Sequence, residues 1–142
     1  MLLIFLSPVF ITTAFAGDKE DAQAVIDKSI EAFNKHDFQT YFSGFADNNT
    51  EFSYVMSPLR HDVAAWKEFI EGTAALEFVS YHQQDVLVQT YNGNATVVTG
   101  YYTFKWKPKG EELNTQSGRA SIMLAKQNGK WLTVHMHFSR MF

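Results

Sequence analysis

Two histidines, His135 and His137, stand two residues apart near the end of the chain, in a run of β-forming residues that begins at Trp131. In a strand, residues i and i+2 share one face, so both imidazoles project to the same side. Histidine titrates near neutral pH, which makes either residue a candidate general base or acid. The plainer use of such a residue is a hydrogen bond that fixes a strand end to its neighbour. A shared metal ion would need a third ligand, and no spacing points to His61, Asp62, Glu51 or His82 as that ligand. No metal and no cofactor is therefore expected.

A hairpin positions the pair. Asn128-Gly129 joins two strand-like runs, and a two-residue type I′ turn needs positive φ at both central positions, which Asn-Gly tolerates best. With that turn Lys126 falls opposite Trp131, and Leu124, Ile122 and Ala120 fall opposite Thr133, His135 and His137. Trp131, Thr133, His135, His137 and Ser139 then share a face, which we assign to a pocket. Leu132, Val134, Met136 and Phe138, with Met123, form an apolar face assigned to a dimer contact, since such a stripe is a liability when exposed. In this register Arg119 opposes Phe138, away from the histidines. It becomes a candidate ligand-binding cation only if a bulge returns it to the pocket.

The aromatic residues supply candidate walls. Tyr101, on one face with Thr103 and Lys105, is a candidate ligand-binding phenol, with Tyr102, Phe104 and Trp106 facing away. Tyr41, Tyr54 and Trp66 are further candidates for ligand contact, each equally suited to ordinary core packing.

The elements that must carry these residues fall in a simple order. Ala22, Val25, Ile26, Ile30 and Phe33 recur at helical spacing from Asp18 to about Lys35, with Asp18, Glu20 and Asp21 in the first turn. Asp37 reads as the N-cap of a short second helix carrying Phe38, Tyr41, Phe42 and Phe45, which Gly44 and Ala46 to Asn49 end. Thr50 to Met56 alternates as a strand that presents Phe52, Tyr54 and Met56 to one side, and Ser57-Pro58 stops it. Asp62 caps a third helix with Val63, Trp66, Phe69 and Ile70, closing near Gly72. Long strands follow at about 77–91, 95–107, 115–126 and 131–140. Helices gathered at one end of the chain predict an α+β domain in which they cover one face of a curved, mainly antiparallel sheet.

Composition narrows the function classes. The 142 residues suffice for one domain with a core, and 13 Phe, 6 Tyr and 3 Trp predict a thick core, an apolar cavity or both. A net charge of −3 with scattered charges offers no basic stripe, which argues against nucleic acid. The chain has no cysteine, hence no disulfide and no thiol chemistry. Residues 1–16 are uncharged and apolar and end in Ala14-Phe15-Ala16 before Gly17-Asp18-Lys19-Glu20. This is the pattern of a signal peptide, leaving residues 17–142 as a secreted or periplasmic domain with no membrane segment after cleavage.

Two stretches also resemble a known family. The run Ala32-Phe33-Asn34-Lys35-His36-Asp37-Phe38, with Tyr41-Phe42 and Phe45 to Thr50, resembles the opening of the nuclear transport factor 2-like superfamily. The close, Asn128-Gly129-Lys130-Trp131-Leu132-Thr133-Val134-His135-Met136-His137-Phe138-Ser139, is similar to that of its SnoaL-like branch and of the association domain of calcium/calmodulin-dependent kinases. The resemblance spans residues 17–142. It implies a cone-shaped fold, with three N-terminal helices over a curved sheet, a pocket between them, and commonly a homodimer through the convex sheet face. Ketosteroid isomerases share the fold, but the positions of their tyrosine and aspartate fall at Ser29 and near Ser53 here, so steroid isomerisation is not expected.

Three functions follow as expectations. The first is a protein that binds a small, largely apolar molecule in the cone. The second is an isomerase, cyclase or hydratase that uses His135 or His137 as base. The third is a dimerisation module without a ligand. Whether the chain is an enzyme stays open at this point.

Overall fold

The computed structural model describes residues 15–54 and 60–141. The proposed signal peptide lies almost wholly outside these residues, as do the expected strand end at Met56 and the Ser57-Pro58 stop.

Helix α1 (Phe15–Asn34) buries Ala22, Ile26, Ser29 and Phe33, a stripe with 4, 3 and 4 residue steps along one side. It ends with His36 in the left-handed region, φ 58°, and Asp37 N–H bonding back to Ala32 C=O at 2.9 Å. Asp37 then caps α2 (Phe38–Phe42) by accepting from Thr40 N–H at 3.1 Å. Strand β1 (Phe45–Ser53) follows, then β2 (Arg60–Asp62) and α3 (Val63–Gly72). Asp62 caps α3 through Ala65 N–H at 3.0 Å. After a single 3-10 turn come β3 (Phe78–Tyr91), β4 (Ala95–Lys107), β5 (Asn114–Gln127) and β6 (Lys130–Arg140).

The six strands form one sheet in the order β2-β1-β6-β5-β4-β3. Every pairing is antiparallel except β1 with β6. Asp85, at φ 52°, marks a register shift in β3 between Gln84 and Leu87, and such bulges bend and twist a strand. The three helices cover the concave face, and the core lies between them and the sheet, with Ile26, Phe33, Trp66, Val98, Leu124 and Trp131 among its buried side chains. Asn34 clips α1 to β3: its amide donates to Tyr81 C=O at 2.9 Å and its carbonyl accepts from Tyr81 N–H at 2.7 Å. The result is the expected cone-shaped α+β fold. Among the described residues no helix is long and apolar enough to cross a membrane.

Two expectations need correction. Ala46 to Asn49, read as the loop that ends the second helix, lie inside β1, and Phe52 faces outward at 46% exposure. Burial at Ala46, Asn49, Glu51 and Ser53, not the aromatic alternation, marks the inner face of that strand. The hairpin register also changes partway. Asn128 and Gly129 do take positive φ, and Lys126 pairs with Trp131 and Leu124 with Thr133. The next pair is Met123 with His135, so Val134 is an extra residue on β6. One extra residue exchanges the two faces of everything beyond it. Met136 and Phe138 therefore turn inward, while His135, His137 and Ser139 turn outward.

Candidate functional site

The concave side of the cone holds a half-open cavity of about 100 Å³. Ile26, Ile30 and Phe33 of α1 and Trp66, Phe69 and Ile70 of α3 form its roof. The sheet contributes Tyr81, Tyr102, Phe104, Ile122, Thr133, Met136 and Phe138, and Tyr41, Phe45, Ser53 and Tyr54 complete the wall.

Its rings hold one another. Tyr81 stacks on Tyr102 at 5.6 Å, Tyr102 meets Phe138 edge-on at 5.6 Å, and Trp66 stacks on Phe69 at 5.2 Å. The phenols are oriented by hydrogen bonds. Trp66 Nε1–H donates to Tyr41 Oη at 3.1 Å, Gln83 Nε2–H to Tyr81 Oη at 2.9 Å, and Tyr102 O–H to Tyr54 Oη at 2.7 Å. The Arg140 guanidinium lies over the Tyr54 ring, 5.7 Å from its centroid. Burial raises the pKa of all four tyrosines, so all four are neutral donors at physiological pH.

Glu51 is the unexpected member. It is 0% exposed, and among the described residues neither carboxyl oxygen has a partner at hydrogen-bonding distance. It shares the inner face of β1 with cavity-lining Ser53 and pairs in register with cavity-lining Met136. Burial pushes its pKa up to about 9, and the nearby Ser53 hydroxyl pulls it back only in part. The group is thus a neutral carboxylic acid at neutral pH. Its charge, where it forms, adds to the effect of burial in raising the pKa of Tyr41 and Tyr81. A polar residue at an inward strand position is the available signal, and the alternation of Phe52 and Tyr54 hides it.

The structure divides the other candidates. Tyr41, Tyr54 and Trp66 line the cavity together. His135 and His137 do not: both lie on the outer face, flanking the Phe52 ring at centroid distances of 6.0 and 6.3 Å. His135 Nδ1 is 2.9 Å from Thr50 Oγ1, and burial followed by the neighbouring His137 lowers its pKa. Tyr101 is also on the outer face, 39% exposed and paired with Arg119, while Tyr102 and Phe104 point inward, the reverse of the expected parity. Arg119 pairs with Ser139, not Phe138, and so shares the outer face with the histidines rather than opposing them. The expected apolar dimer face loses Met136 and Phe138 to the interior. The outer face instead exposes Phe52, Tyr101 and Met123. Among the described residues no three His, Cys, Asp or Glu side chains cluster as metal ligands.

A family model described as a SnoaL-like domain matches residues 22–142. No curated protein sequence gives a significant match. Among solved structures, a nuclear transport factor 2-like superfamily protein from Salmonella enterica serovar Typhimurium superposes with a TM-score of 0.77 at 18% identity, covering 91% of this chain and 94% of that one. The association domain of calcium/calmodulin-dependent protein kinase II from C. elegans gives 0.70 at 20% identity, covering 87% and 95%. A Novosphingobium aromaticivorans protein with a provisional scytalone dehydratase assignment gives 0.76 at 12% identity, covering 87% and 83%. At these identities the likeness establishes the fold and nothing finer.

Proposed function

The chain belongs to the SnoaL-like domain family, and from its cavity we propose that it binds a small, largely apolar molecule inside the cone. The observation that carries this reading is the half-open cavity itself, walled by aromatic and aliphatic side chains and furnished with a few oriented phenols. That pairing of apolar walls with sparse, fixed polar groups is what small-molecule sites require. The proposal extends to an exported protein, on the strength of the uncharged leader ending in Ala14-Phe15-Ala16.

Thermal denaturation with a panel of flat apolar compounds tests it. A guest at 100 times its dissociation constant adds about 2.7 kcal/mol and raises Tm by several degrees. No shift with any compound would remove the reading.

A second reading, self-association through the outer face, is favoured by the exposure there of Phe52, Tyr101 and Met123, and is compatible with the first. Sedimentation at micromolar concentration checks it, and a strict monomer would contradict it. An enzyme that uses His135 or His137 as base on a guest in the cone finds no support in the geometry, because the sheet separates both imidazoles from the cavity.

A further inference from the structure

Resting on the reading of the cone as a binding cavity, we propose that its guest is an amphipathic carboxylic acid, whose apolar body lies among the rings and whose carboxylate sits at the open rim on the Arg140 guanidinium. The last strand sets that rim. Thr133, Met136 and Phe138 of β6 line the cavity, and past the extra residue Val134 the alternation that turns Met136 and Phe138 inward turns Arg140 inward as well. Burial falls along the same line, from buried Thr133 and Met136 through half-buried Phe138 to exposed Arg140. The cavity therefore meets solvent beside Arg140.

The neighbouring strands tie this cation to the lining. Arg140 pairs with Gly118 and Gly118 with Tyr102, one row across β6, β5 and β4. Gly118 has no side chain, so the Tyr102 ring fills its place in that row. Tyr102 O–H donates to Tyr54 Oη at 2.7 Å, and the Arg140 guanidinium lies over the Tyr54 ring, 5.7 Å from its centroid. Both tyrosines line the cavity. Arg140 thus stands just outside the apolar lining and in contact with it through Tyr54.

Donors outnumber acceptors at this rim. A guanidinium has donors only, and Tyr54, which accepts from Tyr102, keeps its own proton to give. Among the described residues Arg140 forms no ion pair with Asp or Glu, and the other residues of the chain include neither type. The described lining carries no Asp or Glu either, so an acidic guest meets no like charge on its walls. A carboxylate supplies what is missing, two acceptor oxygens and a negative charge that fit the guanidinium fork. An ammonium head would instead be repelled by Arg140, and a neutral head would gain only weaker hydrogen bonds there. The body of the guest finds Ile26, Phe69, Phe104 and Phe138 on the apolar walls.

Isothermal titration of the full chain with 3-phenylpropanoate, 3-phenylpropanamide and 3-phenylpropylamine tests the inference, since the three share one apolar body and differ in the head. At about pH 7.5 the acid is ionised. It is expected to bind about tenfold more tightly than the amide, with the amine weakest. Salt at about 1 M should erase most of that advantage, because an exposed ion pair is screened. Arg140→Gln is expected to remove the advantage while leaving the amide within about twofold. An amide or amine that binds as tightly as the acid, or a preference for the acid that survives Arg140→Gln, overturns the inference and leaves the binding cavity standing. If none of the three binds, the inference falls as well, and the wider apolar panel decides the cavity reading separately. Should the variant fail to fold, the order of the three guests and its collapse in salt decide on the parent chain.

Discussion

Gly118 pairs with Tyr102 across the β4–β5 ladder, and a Cβ at Gly118 would stand 2.5 Å from the Tyr102 phenol oxygen and 2.1 Å from Ser139 C=O. Glycine there is a steric necessity: the ring that donates to Tyr54 lies where any side chain on β5 would be. Gly118→Ala forces both the backbone at Ser139 and the Tyr102 ring to move. We expect a loss of about 1–3 kcal/mol, typical of overpacking, together with weaker guest binding, measured by urea denaturation and by ligand titration. A loss under about 0.5 kcal/mol would show that the strand and the ring both yield freely and that the tyrosine pair is not fixed.

Glu51 makes stability fall as pH rises. Its pKa is about 9 in the folded chain against 4.5 ordinarily, so the folded state holds the proton over a range in which the unfolded state releases it. Its contribution is therefore complete below about pH 4.5 and is lost progressively as pH climbs toward 9. Glu51→Gln removes this dependence. Relative to the parent, the variant should gain roughly 3 kcal/mol between pH 4.5 and pH 7, an order-of-magnitude figure from 1.36 kcal/mol per unit. Parallel stability curves for the two proteins would contradict the account.

The Asn34 clip joins the roof of the cavity to its floor. Asn34→Ala removes both hydrogen bonds to the Tyr81 backbone and should cost about 1–3 kcal/mol. Because Tyr81 lines the cavity, amide exchange at Tyr81 should accelerate in the variant more than at Val98 in the sheet core. Equal acceleration at both would indicate global loss only.

The histidines carry the opposite expectation. Their replacement by alanine should leave binding of apolar guests within about twofold, since neither touches the cavity. His135 also sets an acid-side effect. Its pKa is lowered in the folded chain, so the stability it contributes is present above the usual histidine value near 6.5 and is lost as pH falls through that region. His135→Gln should blunt that loss. A large drop in guest affinity in either histidine variant would place them in the site after all.

Local rules made most of the fold legible. The Asp37 and Asp62 caps, the Asn128-Gly129 turn and the four long strands all follow from short-range chemistry, and all stand in the structure. The site was harder because it depends on parity, which is counted along a strand and fails at a single extra residue. Val134 has nothing in its type to mark it as that residue, yet it moves His135 and His137 to the outside and Met136 and Phe138 to the inside. Likewise Tyr101 and Tyr102 are adjacent phenols, and only the space over Gly118, a partner distant in sequence, shows which one turns in. The inward setting of Glu51 required the parallel pairing of β1 with β6, which no local signal encodes.

The central claim is that the concave cavity, not the outer face, receives a small guest. A crystal structure of the protein with the tightest compound from the binding panel tests it most directly. Density for the guest is expected among Tyr41, Trp66, Tyr81, Tyr102 and Phe138. Density confined to the outer face beside Phe52, His135 and His137, with the cavity closed, would contradict it.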